Sequence, residues 1–270
     1  MVEAQVVLIT GGSSGLGEAT ALYLIRLGYR VYGTTRNPDR YPEPRNFPLL
    51  GMDVTSKESV DSAVAELISQ EGRIDILVNN AGVGITGPLE ETPHAQSLHA
   101  METNFHGPLR VMEAVLPQMR KQGGGRIVNI TSIAGWMGLP YRGMYSASKA
   151  ALEIASEAIR MEVRSMGVKV STLAPGDYAT NIASGRYHSP LHEDSPYATE
   201  YGRSLELMNA HVSEGSDPLE VAKKLHKILK ARNPRVHYAV GSPMQKFSLV
   251  LKRLLPATWY ERLLRNHYKL

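Results

Sequence analysis

The stretch that most limits what this chain can become is Gln5 to Leu27. Gln5-Val-Val-Leu-Ile-Thr10 is a short apolar run with β-branched residues, the pattern of a parallel strand buried on both faces. The glycine-rich loop Gly11-Gly-Ser-Ser-Gly15-Leu-Gly17 follows at once, and helical periodicity then runs from Glu18 to Leu27 and stops at Gly28. A strand that passes through such a loop into a helix N-terminus lets the backbone approach an anion closely. The helix end supplies free N–H groups and a partial positive charge. This context predicts a dinucleotide pyrophosphate held by Gly11, Ser13, Ser14, Gly15, Leu16 and Gly17.

The rest of the chain continues the alternation. Strand patterns at 30–34, 49–52, 74–78, 126–130, 168–173 and 236–240 are separated by helical patterns. Thr55-Ser-Lys-Glu58 has the spacing of a capping box, and Thr92-Pro93 opens a helix expected to run to about Lys121. The alternation predicts an α/β fold: a Rossmann-like doubly wound parallel sheet of about seven strands with helices on both faces. No linker or repeat interrupts it, so one domain spans 1–270. Residues 177–216 form a long polar segment, and 242–270 form a C-terminal extension with two short amphipathic stretches.

Composition narrows the function. With no cysteine there are no disulfides, thiolate nucleophiles or cysteine metal sites, which fits a reducing, cytoplasmic setting. A net charge of +4 is too mild to be a nucleic-acid signature. No long uncharged apolar run predicts a transmembrane helix. His188 and His192 are four apart but lack a third ligand nearby, so no metal is expected.

Cofactor preference is read at the end of the second strand, where an NAD site places a carboxylate for the ribose 2′-hydroxyl. Here the sequence is Thr34-Thr35-Arg36-Asn37. The guanidinium of Arg36 suits a 2′-phosphate, so NADP(H) is expected. Asp53 and Val54 end the third strand beside the expected adenine, and Asp53 equally suits a helix-start cap. Tyr145 and Lys149 lie one turn apart on a helix. A phenol has a pKa of about 10, and a fixed ammonium beside it favours the phenolate. The pair therefore suits a general acid/base, although the same spacing occurs on many solvated helices.

Thr10-Gly-x-x-x-Gly15-x-Gly17, Asn79-Asn-Ala-Gly82, Asn104, Ser132, Tyr145-x-x-x-Lys149 and Pro175-Gly-x-x-x-Thr180 occur in that order. With this set the chain resembles the short-chain dehydrogenase/reductase family, over about Val6 to Thr180. The resemblance implies that Tyr145 is the catalytic acid/base, that Lys149 binds the nicotinamide ribose and lowers the tyrosine pKa, and that Ser132 positions the substrate oxygen. It implies that Asn104 holds a water in a relay to Lys149, that Asn80, Ala81 and Gly82 line the adenosine side, and that Pro175, Gly176 and Thr180 hold the nicotinamide end.

The family also implies that 177–216 is the substrate loop. Tyr178 there, with Trp136 and Met137 between Ser132 and Tyr145, suits an apolar, lipid-, steroid- or retinoid-like carbonyl or alcohol. Residues 135–141 and 233–238 resemble the hydroxysteroid and retinol dehydrogenase branch. The expected activity is NADPH-dependent hydride transfer to or from such a substrate. A silent NADP-binding regulator and a sugar-nucleotide epimerase or dehydratase remain alternatives. A homodimer or homotetramer is expected, with no nucleic-acid partner. Residues 245–255, apolar with basic flanks, are read as packing on the body or a neighbouring subunit in preference to a membrane surface.

Overall fold

The computed structural model describes residues 4–41, 45–178, 185–213 and 216–270. The chain begins with β1 (Val6–Ile9), α1 (Gly15–Arg26), β2 (Arg30–Thr35), β3 (Leu49–Gly51), α2 (Lys57–Glu71) and β4 (Ile76–Asn79). Next come β5 (Ile85–Thr86), α3 (His94–Met101), α4 (Gly107–Lys121), β6 (Gly125–Ile130), α5 (Gly143–Glu162) and β7 (Val168–Pro175). It ends with β8 (Tyr187–His188), α6 (Ala198–Ser213), α7 (Leu219–Lys230), β9 (His237–Val240), α8 (Pro243–Leu254) and α9 (Ala257–Tyr268).

Seven strands form one sheet in the order β3-β2-β1-β4-β6-β7-β9, with every pairing parallel. All four residues of β1 are buried, as a strand covered on both faces requires. Alternation decides which layer each side chain joins. Leu8 packs with Val60, Leu67, Val111 and Val115 of α2 and α4, whereas Val7 and Ile9 pack with Leu24, Val221 and Leu225 of α1 and α7. Each such side chain contributes about 1.5–3 kcal/mol by leaving water.

The strand order reverses between β1 and β4. Ligands of such sheets bind at that switch point, beyond the carboxyl ends of the strands. The expected doubly wound sheet is present. Two segments differ from the sequence reading. The long helix from Pro93 is interrupted at Glu102–His106 by a π turn, between α3 and α4. The polar segment after Pro175 is not simply a loop: β8 pairs with β5 in a small parallel sheet, and α6 covers 16 residues. Tyr201, Ser204 and Met208 are buried on one face of α6. Among the described residues no helix is long and apolar enough to cross a membrane.

Candidate active site

A single cleft crosses the carboxyl end of the sheet. Its walls run from Gly11, Ser13 and Arg36 past Asn80 to Gly82, and on to Ser132, Tyr145, Lys149 and Gly176. The loop after β1 forms one end. Gly11 has φ +62°, a left-handed conformation that glycine adopts without strain. Its N–H donates to Thr34 Oγ1 at 3.2 Å. Thr10 Oγ1 accepts from the N–H groups of Asn80 (2.9 Å) and Ala81 (3.0 Å), and Asn80 Nδ2 donates back to Thr10 O and Gly11 O. The loop is thereby tied to the end of β4.

Gly17 lies beneath the loop and is not a cleft wall. A Cβ there would collide with Gly11 O and sit 2.7 Å from Asn80 Nδ2. Ser14 precedes α1 without capping it, so its hydroxyl takes none of the first-turn N–H groups. An uncapped helix end facing a glycine-lined cleft fits a pyrophosphate.

Arg36 is exposed at the cleft wall and forms no hydrogen bond or ion pair among the described residues. Asp53 Oδ1 accepts from Thr55 N (2.9 Å) and Thr55 Oγ1 (2.7 Å). Burial opposes ionisation of Asp53, but those bonds and the charges on Arg36 and His99 together hold its pKa below the usual carboxylate value. Val54 lines the same end. The cap of α2 itself is Ser56, whose side chain accepts from Ser59 N.

The other end carries the chemistry-bearing groups. Ser132 Oγ accepts from Ala134 N at 3.1 Å and is also hydrogen bonded to the Tyr145 hydroxyl. Lys149 is buried, with Nζ donating to Ile130 O at 3.1 Å. Burial pushes its pKa down to about 8, against the pull of Glu153. Burial raises the Tyr145 pKa, while the Ser132 bond and the guanidiniums of Arg142 and Arg186 lower it. The Lys149 ammonium is turned to Ile130 O.

Asn104 stands behind the cleft, inside the π turn. Its Oδ1 accepts from Val83 N (2.8 Å), and its Nδ2 donates to Val83 O (2.9 Å) and Ser148 Oγ (3.1 Å). Its carboxamide is thus a clamp on the backbone after Gly82. A Cβ on Gly82 would lie 3.0 Å from Asn104 Oδ1 and 3.2 Å from Lys149 Nζ, so glycine there lets the two approach.

Pro175, Gly176 and Tyr178 border the cleft, and Thr180 lies outside the described residues. The Tyr178 hydroxyl donates to Glu220 Oε2 at 3.3 Å, and the ring is buried in the core. Trp136 and Met137, read as substrate residues from their place in the sequence, are not cleft walls. The short 3₁₀ helix Ile133–Trp136 packs on α5 and α8 and turns them away. Trp136 Nε1 donates to Glu153 Oε1, its ring meeting His237 edge-on, and Met137 packs with Ala174 and Tyr260.

Sequence reasoning did not single out Tyr41, Arg142, Asp177 or Arg186 as site residues. Tyr41 bonds Ser13 through its hydroxyl at 3.1 Å. Arg142 sits 3.9 Å from Asp177 Oδ1, and Gln245 Nε2 donates to Asp177 Oδ2 at 2.9 Å. Arg186 lies across Gly84 with Nη1 buried and without a hydrogen-bond partner among the described residues. Arg142, three residues before Tyr145, was within reach of the helical spacing rule. Arg186 comes from a separate segment and left no local signal.

A family model described as short chain dehydrogenase matches residues 5–190. A 3-ketodihydrosphingosine reductase of Bacteroides thetaiotaomicron is 40% identical over 268 residues, covering 99% of each chain. The crystal structure of a short-chain dehydrogenase from Streptomyces avermitilis superposes with TM-score 0.80 at 32% identity, over 98% of this chain and 99% of that one. An alcohol dehydrogenase from Thermococcus sibiricus, complexed with 5-hydroxy-NADP, gives TM-score 0.72 at 25% identity, over 89% and 97%.

Proposed function

The chain belongs to the short-chain dehydrogenase/reductase family of oxidoreductases, and from that premise we propose that it is an NADP(H)-dependent reductase of an amphipathic, lipid-like ketone. The observation that carries this reading is one continuous cleft. It has an uncapped helix end and the unpaired Arg36 at one end, and Tyr145, Ser132 and Lys149 together at the other. Gly11, Ser13, Ser14, Gly15, Leu16 and Arg36 would hold a 2′-phosphorylated dinucleotide, with Asp53, Val54 and Asn80–Gly82 along its adenosine half. The nicotinamide, when bound, supplies the hydride.

The chain's own residues handle the oxygen. Ser132 Oγ holds the substrate oxygen against the Tyr145 hydroxyl, and Tyr145 donates its proton as negative charge develops there. Burial keeps Tyr145 a phenol at neutral pH, which suits the acid role. Lys149, fixed by Ile130 O, presents its remaining N–H groups toward the ribose side near Gly82. Asn104 keeps that backbone in place.

The cleft beside Tyr145 holds Arg142, Asp177 and Arg186, so the reacting end of the substrate is polar. Similarity to a protein named for reducing a 3-keto compound supports a ketone. Exposed Ile154 and Met161, seven residues apart on α5, support a homodimer through that helix. Turnover of 3-ketodihydrosphingosine and other long-chain ketones, followed as NADPH oxidation with NADH as control, tests the proposal. Tyr145→Phe is expected to lower turnover by about 10²–10⁴-fold with cofactor binding retained. Preference for NADH, or unchanged turnover in that variant, overturns it.

A further inference from the structure

The last 28 residues carry a surface that the reaction does not use. On α8, Met244, Phe247, Val250 and Leu254 are 74%, 53%, 48% and 72% exposed, and on α9 Trp259 and Leu263 are 66% and 46% exposed. Positions 244, 247, 250 and 254 fall on one helical face, as do 259 and 263. The packed residues lie beside these faces: Leu249, Leu251, Leu255, Tyr260 and Leu264 join Ile133 and Met137 in a core cluster. The extension therefore packs on the body, as its sequence suggested, and still leaves a second apolar face in solvent. The corner at Pro256 joins the two helices.

Charge is concentrated in the same place. Residues 243–270 hold six Lys and Arg and one Glu, a net +5, while the whole chain is +4. Lys246, Lys252, Arg253, Arg262, Arg265 and Lys269 are all exposed, and none is in an ion pair with a carboxylate among the described residues. Lys246 and Arg253, two turns apart, flank the apolar face of α8.

We infer that α8 and α9 form a docking face for an anionic lipid bilayer, with the apolar side chains entering the interface and the basic flanks meeting lipid phosphates. Apolar protrusions rimmed by cations that have no carboxylate partner among the described residues are complementary to such a surface. They are poorly complementary to a second copy of the same face, which would oppose +5 with +5. The face is continuous with the cleft: Gln245 of α8 holds Asp177, which lines the cleft with Tyr145. Docking would set the cleft mouth near the lipid.

The test is sedimentation of the full chain with vesicles of phosphatidylcholine, with and without phosphatidylglycerol, at low and high salt. Each basic residue at an anionic surface is worth about fivefold in partitioning. Replacing Lys246, Arg253 and Arg262 with Gln is thus expected to lower binding to the anionic vesicles by about a hundredfold. The Phe247→Ser, Leu254→Ser, Trp259→Ser variant is expected to lose binding, and Trp259 fluorescence in the parent to shift to the blue. Circular dichroism and cofactor-induced thermal shift, unchanged in both variants, exclude unfolding. No sedimentation of the parent with anionic vesicles at low salt overturns the inference. So does a mass by light scattering that halves in the apolar variant without vesicle binding, which would assign the face to a second copy.

Discussion

Tyr145 and Lys149 lie one turn apart on α5 and meet different partners. Tyr145, Ser132 and Lys149 were legible because a helix fixes where residues four apart point, and because the ordered motif set placed them on known elements. What the spacing did not contain is where Lys149 Nζ finds its partner: Ile130 O, at the end of a strand, 3.1 Å away. The cations that pull the Tyr145 pKa down are Arg142 and Arg186, working with the Ser132 bond against burial. Removing either guanidinium leaves burial less opposed, so the phenolate forms at higher pH. For Arg142→Gln and for Arg186→Gln, the alkaline-favoured limb of alcohol oxidation is expected to move to higher pH. A pH–rate profile of kcat measures it. A limb that stays in place in both variants would show that neither arginine acts on Tyr145.

At the scale of elements, the sheet was readable and the segments around it less so. Parallel strands buried on both faces are near-continuous apolar runs, and nothing else in the chain resembles them. The α3–α4 region read as a single helix because a π turn inserts one residue without changing composition. That insertion carries Asn104, whose carboxamide satisfies both backbone groups of Val83. Asn104→Ala leaves that half-buried N–H and C=O without their partner, at up to about 1–3 kcal/mol each if water does not replace it. Urea unfolding is expected to show a loss of about 2–4 kcal/mol, with the slope unchanged. A loss below about 0.5 kcal/mol would mean the clamp is dispensable. Helix α6 escaped notice for another reason. Its inward residues, Tyr201, Ser204 and Met208, mix polar with apolar, so the 3.6-residue pattern was faint.

For the whole molecule, the reversal of strand order gathers residues from positions 11 to 186 into one cleft, which no local pattern could display. That gathering has a thermodynamic signature. Lys149 is buried in the middle of the fold, and burial lowers its pKa from 10.5 to about 8. Below about pH 8 both the folded and unfolded chains carry the ammonium, and folding bears the full cost of burying it. Between about pH 8 and 10.5 the unfolded chain holds a proton that the folded chain has lost, so stability rises with pH through this window. Integrated over it, the gain is about 3 kcal/mol. Tyr145 acts in the opposite direction near and above pH 10, because its raised folded pKa favours the unfolded phenolate. The difference between the parent and Lys149→Met separates the two, since both chains keep Tyr145. Measured by chemical denaturation without cofactor, the parent is expected to be the less stable at pH 7 and to recover most of the deficit by pH 10. A difference that stays flat across that range would mean Lys149 keeps its ordinary pKa in the folded chain, with enough water or counter-charge at Ile130 to solvate the ammonium.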